Sequence, residues 1–293
     1  MTESDDKPDP FLNAYRPDLA AAELSGRVSA ARFTEGRPAG IISSLADLRR
    51  EPQAAARLDT QLLFGEAVTV YDERDGWAWV QNETDRYVGY VESATLGGTP
   101  KPPTHQVSAL RSYLFPEPDL KAPPLGCLSI ASPLRVVGEE GDYAALGDGR
   151  FVYRKHTASL LEGIERDYVA TALRFLGTPY YWGGRSSIGL DCAALIQLCL
   201  ARAGMPVLRD SYMQGNSVGR AVDWQPGETK LQRGDLVYFP GHCVIMLDDR
   251  EVVHANAFTM SVAIETLEAV EQRVIAESGG TGITGIRRVL SGS

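Results

Sequence analysis

The chain has 293 residues, 44% hydrophobic and 23% charged, the balance of an ordinary water-soluble protein with apolar material for more than one core. Its 38 acidic against 29 basic side chains leave a net charge of −9, which argues against nucleic acid or an anionic membrane as the main partner. No window reaches the ~20 apolar residues of a membrane span, and the acidic stretch Met1 to Pro10 lacks the basic start and apolar centre of a signal peptide, so a cytoplasmic location is expected, with the scattered Cys127, Cys192, Cys199 and Cys243 reduced.

Residues 1–26 read as a polar arm leading into a short helix over Leu19 to Leu24. Alternating apolar residues then flank an Asp75-Gly76 turn, with Leu62 to Val70 before it and Trp77 to Gln81 and Tyr87 to Val91 after it, a strong hairpin signal. The scheme recurs with a shift of 66 residues: Val68 maps to Leu134, Val70 to Val136, Trp77 to Tyr143 and Val80 to Leu146. A repeat of this kind implies two similar small β-barrels in tandem, at 27–98 and 104–160, joined by the Gly- and Pro-rich stretch from Gly97 to Thr104. Trp77, Trp79, Tyr87 and Tyr90 are expected to fill the first barrel's core, one of them with the alternative of facing a cleft.

After Leu161 the texture changes to a third domain, 161–293. Helical spacing runs from Ile164 to Leu176 and ends at Gly177. The glycine- and aromatic-rich Tyr180-Tyr181-Trp182-Gly183-Gly184 leads to Asp191-Cys192, where an apolar helix begins that stops at Gly204 with Pro206 beyond. Strands are expected over Asp235 to Phe239, His242 to Leu247, Glu251 to Ala255 and Gly285 to Leu290, and helices followed by antiparallel strands make an α+β domain.

Cys192 at a helix start sits among unpaired N–H groups and the positive end of the dipole, both of which favour the nucleophilic thiolate. His242 and His254 flank a hairpin turning near Leu247-Asp248-Asp249; if the loop is odd, both rings lie on one face, nearly opposite each other. A cysteine with two imidazoles is the material of a cysteine hydrolase, with His242 as the base and His254 as the group that orients it. The same three residues as zinc ligands is a weaker alternative, since they lack the close Cys/His pairs of structural zinc sites. No cofactor is expected. Cys243, next to the base, should point away from it into the core and pack as a small apolar group.

The ordered set Tyr180 to Gly184, Asp191-Cys192, Arg209-Asp210-Ser211, Arg233 to Phe239, Gly241-His242 and His254-Ala255 resembles the NlpC/P60 family of cell-wall cysteine peptidases over about residues 165 to 290, and the upstream repeat resembles bacterial SH3-like domains. The resemblance implies a papain-like fold behind two SH3-like barrels and the branch that cuts γ-D-glutamyl to diamino acid bonds (meso-diaminopimelate or lysine) in murein peptides carrying a free N-terminal L-alanine, as in cell-wall peptide recycling. It further implies that Tyr180 lines the cleft and that Ser211 contacts the glutamyl part. Asp191 is expected to pair with the substrate ammonium; Glu66 of the first barrel is a second candidate, set against a solvated charge at a strand edge. The Cys192 N–H, helped by Tyr180 or the loop, is the expected oxyanion donor. Ala193-Ala194 stands where the family has Ser-Gly and Cys243 where it has Val, which keeps open a catalytically weak murein-peptide binding protein, or acyl transfer with the same nucleophile.

Overall fold

The structure, a computed structural model, describes residues 7–225 and 228–289, so the first six residues of the expected arm and Leu290, the end of the last expected strand, lie outside the described residues. The chain divides into two compact units: one holds the chain up to Gln106 with Ser112–Leu128 and Ser132–Thr157, the other Val107–Arg111, Ser129–Ala131 and everything from Ala158 on.

In the first unit β1 (Arg37–Gly40), β2 (Leu45–Arg49), β3 (Leu58–Leu63), β4 (Ala67–Arg74), β5 (Trp77–Asn82) and β6 (Val88–Glu92) form one sheet in the order β1-β4-β5-β6-β2-β3. Asp75 and Gly76 join β4 to β5 with φ of 54° and 80°, the left-handed pair that a tight hairpin turn requires. The ladder pairs Val70 with Val80, slips at a bulge, and resumes with Asp72 against Trp79. A second sheet, β7 (Arg111–Phe115), β8 (Gly126–Ser129), β9 (Val136–Glu140), β10 (Tyr143–Leu146) and β11 (Phe151–Tyr153), runs β8-β7-β11-β10-β9. Here Val136 pairs with Leu146, the ladder slips, and Gly138 resumes against Ala145. Each of these pairs stands 66 residues beyond its counterpart, so the repeat extends to the register and to the bulge.

Two expectations change. The ladders do not close into barrels among the described residues: β1 and β3 end the first sheet, β8 and β9 the second. The helix expected over Leu19 to Leu24 is a single 3-10 turn, Ala22–Leu24, because Ala20–Ala21 pair with Phe33–Thr34 and Leu19 and Leu24 pack with Trp79 and Val88. Burial overrides local propensity there. Trp79 and Tyr87 are buried as expected, while Trp77 and Tyr90 are half-buried; Arg16 lies 4.3 Å above the Trp79 ring and donates to the Tyr90 hydroxyl.

The second unit carries α1 (Tyr168–Leu173), α2 (Cys192–Arg202), α3 (Ser211–Ser217), β12 (Arg220–Ala221), β13 (Asp235–Phe239), β14 (His242–Met246), β15 (Glu251–Asn256), β16 (Ser261–Thr266), α4 (Leu267–Ser278) and β17 (Gly285–Arg288). The strands form an antiparallel sheet in the order β12-β17-β13-β14-β15-β16. The helix expected from Ile164 starts only at Tyr168, because the Asp167 carboxylate caps it through the Val169 and Ala170 N–H groups. β16 and α4 have no counterpart in the sequence reading.

Strand alternation gives the sheet two faces. Val237, Phe239, Val244, Met246 and Val252 pack on Val270 and Val274 of α4. The opposite residues, among them Tyr238, Cys243, Ile245 and Val253, face α2, which packs on β14 and β15. The expected catalytic residues come from both sides of this layer: Cys192 from α2, the two histidines from the face of α4.

Candidate active site

Cys192 is the first residue of α2 and 7% exposed. Asp191 caps the helix by accepting from the Ala194 N–H at 2.9 Å, which leaves the Cys192 and Ala193 N–H groups at the open end without a protein acceptor among the described residues. These donors and the helix dipole face the sulfur's surroundings, where a tetrahedral oxyanion would form. The neighbouring Cys243 first, and then the His242 imidazole, favour the Cys192 thiolate; together they outweigh burial and lower the Cys192 pKa well below that of an ordinary thiol.

Pro240-Gly241 forms the turn between β13 and β14, with Gly241 at φ 70°, and His242 pairs with Phe239 directly after it. The loop from Leu247 to Arg250 closes the next hairpin, with Met246 paired to Val252 and Ile245 to Val253. The five residues between Met246 and Val252 make an odd loop, so His242 and His254 share a face. Extending that register puts Asn256, not His254, opposite His242. The rings are therefore diagonal neighbours rather than opposite ones, yet His242 Nε2 and His254 Nδ1 stand 2.8 Å apart.

The relay continues beyond the residues expected from sequence. His254 Nε2 lies 3.0 Å from Glu265 Oε2 on β16, again a diagonal step, since His254 is paired with Ala263. Arg273 of α4 holds both Glu265 oxygens and stacks its guanidinium 3.9 Å from the Phe258 ring. Burial opposes the charge on Glu265, but the hydrogen bonds from Arg273 and His254 prevail and keep its pKa below the usual value. An ionised Glu265 selects the tautomer: His254 carries its proton on Nε2 and donates to Glu265, so its bare Nδ1 accepts from His242 Nε2–H. Asn256 Nδ2 also approaches His254 Nε2 at 3.2 Å, but its amide is held by Thr259 through Oδ1, and it flanks the ring rather than competing with Glu265. Burial, and next the proximity of His242, lower the His254 pKa to about 4, so the ring is neutral at ordinary pH. With His242 Nε2 committed to His254, Nδ1 is the nitrogen left for the Cys192 sulfur.

Asp191 does not have the role expected of it. Its two oxygens accept from Arg209 at 3.0 and 2.6 Å, from Gly183 N–H at 3.1 Å and from Ala194 N–H, which fills the acceptor positions of a carboxylate. An ammonium has no place left on it. Asp191 instead fixes the start of α2 against the Gly183-Gly184 loop, with a guanidinium only 1% exposed. Tyr180 does sit near Cys192: burial first, and then the neighbouring cysteine, raise its pKa. Ser211 starts α3, whose Gln214 amide bonds the Ala193 carbonyl. Glu66 belongs to the first unit, where it is 3% exposed and accepts the Leu63 N–H at 2.8 Å, so it is a buried turn residue rather than a solvated strand-edge charge. Cys243 points away from His242 as expected, but toward α2 and the nucleophile instead of into inert packing. The described residues hold no cluster of His, Cys, Asp and Glu suited to a metal ion. A groove of about 480 Å³, lined by Tyr180, Trp182, His242, Asn256, Phe258 and Arg273 among others, opens beside the imidazole.

A helix-start thiol, an imidazole and a second imidazole anchored to a carboxylate are the parts of a thiol hydrolase that works through an acyl-enzyme. Comparison with known proteins gives the family. Residues 177–276 match the NlpC/P60 family and residues 48–96 the bacterial dipeptidyl-peptidase SH3 domain. The chain thus carries an NlpC/P60 domain of the cysteine peptidase type behind a bacterial SH3 domain. It is 25% identical to dipeptidyl-peptidase 6 of Lysinibacillus sphaericus, over 78% of this chain and 91% of that one. It is 28% identical to the γ-D-glutamyl-L-lysine dipeptidyl-peptidase of Bacillus cereus, over 72% and 71% of the two chains. The crystal structure of an NlpC/P60 family protein from Bacillus cereus superposes with a TM-score of 0.72 at 24% identity, covering 86% of this chain and 99% of the other, a likeness of fold. No described helix is long and apolar enough to cross a membrane.

Proposed function

We propose that this protein hydrolyses the bond between γ-D-glutamate and a diamino acid in murein peptides, and that it does so in the cytoplasm as part of peptide recycling, behind two tandem SH3-like domains. The observation that carries the reading is the continuous relay Cys192–His242–His254–Glu265, joined to relatives named for γ-D-glutamyl-L-lysine dipeptidyl-peptidase activity. Four free cysteines fit a reducing compartment.

In this mechanism His242 Nδ1 holds the proton taken from Cys192, and the thiolate attacks the γ-carbonyl carbon of D-glutamate. The oxyanion that forms accepts from the Cys192 and Ala193 N–H groups. His242 returns the proton to the leaving amine, which frees the diamino acid and leaves a thioester on Cys192. The neutral imidazole then takes a proton from water, whose oxygen attacks the thioester and releases the glutamyl peptide. His254, neutral and pinned by Glu265, accepts from His242 throughout and keeps Nδ1 aimed at the sulfur. Tyr180 walls the acyl side and Ser211 contacts the glutamyl part.

Incubating the protein with L-Ala-γ-D-Glu-L-Lys, and with the diaminopimelate peptide, should yield L-Ala-D-Glu and the free diamino acid. Binding without turnover by folded protein, or equal cleavage of the N-acetylated peptide, would overturn the reading.

A further inference from the structure

The relay uses Cys192 but gives no task to its neighbouring thiol, Cys243. Cys243 lies on β14, 1% exposed, with its side chain on the face that α2 covers, and Cys192 is the first residue of that helix; Cys243 is also the foremost influence lowering the Cys192 pKa. A free buried cysteine is ordinarily an inert filler. Here the filler stands against an activated thiolate, while the other cysteine of the helix, Cys199, is fully buried and two turns further along α2. Beside Cys243, across the β13–β14 ladder, is Tyr238, whose buried hydroxyl has no hydrogen-bond partner among the described residues.

We infer that Cys243 is the resolving thiol of a reversible oxidative modification of Cys192, with a hydroperoxide as oxidant and a Cys192–Cys243 disulfide as product. The inference rests on Cys192 being the activated nucleophile. An activated thiolate with a second thiol close by is an arrangement that redox-responsive cysteines share. The Cys192 thiolate attacks the terminal peroxide oxygen; an S–O bond forms, the O–O bond breaks, and the released alkoxide or hydroxide takes up a proton. Cys192 is then a sulfenic acid, oxidised by two electrons. Cys243 attacks that sulfur, the S–O bond breaks, and the departing hydroxide leaves as water with the Cys243 proton. Two thiols and one hydroperoxide thus give one disulfide, one alcohol or water, and a further water. With Cys192 on α2 and Cys243 on the strand face that α2 packs against, the sulfurs have to close to the roughly 2 Å of an S–S bond. The consequence is protection: the disulfide idles the peptidase and diverts the sulfenic acid from irreversible sulfinic and sulfonic acids. A reductant restores both thiols.

The test treats the full chain with hydrogen peroxide, blocks the remaining thiols, and reads intact mass, linked peptides and turnover of the L-alanyl-γ-D-glutamyl-lysine peptide. Wild type is expected to lose two hydrogens, to give a peptide pair joining Cys192 and Cys243, and to lose turnover that dithiothreitol restores. In Cys243→Val, and in Cys243→Ser should the first variant fold poorly, the same treatment is expected to add oxygen at Cys192 with no recovery on reduction. Oxygen addition to wild type without a cross-link, or a cross-link through Cys199, overturns the inference. Because the cross-link is read by mass, its formation in a protein without turnover would sink the peptidase reading and leave the pairing standing. An active enzyme that never forms the disulfide would do the reverse.

Discussion

His254 donates its Nε2 proton to Glu265 at 3.0 Å, and this one contact decides which nitrogen of each imidazole faces its neighbour. Glu265→Gln keeps the shape and removes the charge that selects the tautomer. Expected is a fall in kcat of about tenfold or more with little change in KM, the size seen when a partner that orients a functional imidazole is lost. The pH profile of kcat/KM should move with it, whereas a merely structural change would scale the profile without moving it. Steady-state kinetics across pH decide the matter.

Thiol chemistry offers a check that needs no substrate. Cys192 should react with iodoacetamide well below the pH at which an ordinary thiol ionises, since Cys243 and His242 both favour its thiolate. His242→Ala is expected to slow that labelling and to cost roughly 10²–10⁴-fold in turnover. Equal labelling rates in the two proteins would separate the imidazole from the sulfur.

Stability should fall on the acid side. His254 is held neutral in the folded protein down to about pH 4, while in the unfolded chain it takes up a proton near 6.5. Its folded pKa is the lower one, so the unfolded state binds more protons between those values and stability drops as pH falls through that window, by up to about 3 kcal/mol. Glu265 acts in the same direction at lower pH, because its folded pKa is depressed and its contribution is lost on protonation. Melting temperatures should decline between neutral pH and pH ~5 in wild type and less steeply in His254→Gln. Parallel curves would contradict the buried neutral ring.

The Asp191–Arg209 pair should be a point of fragility rather than of substrate affinity. Arg209→Ala leaves a carboxylate without its main counter-charge, and Asp191→Ala leaves a guanidinium buried and removes a helix cap as well. Losing one partner of such a pair costs about 3–5 kcal/mol. Denaturant midpoints should show this in both variants.

Gly65 gives a prediction remote from the chemistry. It turns β3 into β4 at φ 81°, and a Cβ there would meet the Pro133 carbonyl oxygen at 2.1 Å. Gly65→Ala must both strain the backbone and push that carbonyl away, so a loss of at least 1–3 kcal/mol is expected (~, from the strain alone). Thermal unfolding of the variant checks it.

Much of the site could be read from residue order. Asp191-Cys192 announced a helix start, the two histidines twelve apart announced a shared strand face, and the 66-residue shift announced a repeated β-unit, read as two tandem barrels. What stayed hidden depends on partners that no local pattern reveals. Glu265 lies in Glu-Thr-Leu-Glu, which reads as a solvated surface run until Arg273, eight residues on, folds back over it. Arg209 reads as a loop cation, and only its burial shows that Asp191 is already engaged. Alternation placed Cys243 opposite His242, but could not say that α2 and its first residue occupy that side. The repeat reports register and not closure: the first sheet ends in Arg37–Gly40 and Leu58–Leu63, whose ladders do not meet among the described residues.

The loop between Met246 and Val252 has an odd number of residues, and that count acts as a catalytic parameter. Deleting or inserting a single residue there would invert the parity of the following strand. His254 would be carried to the side of the sheet that supports α2, and an apolar neighbour would take its place beside His242. Length changes by twos keep the relay's geometry within reach; changes by one cut it, without touching any residue that meets substrate.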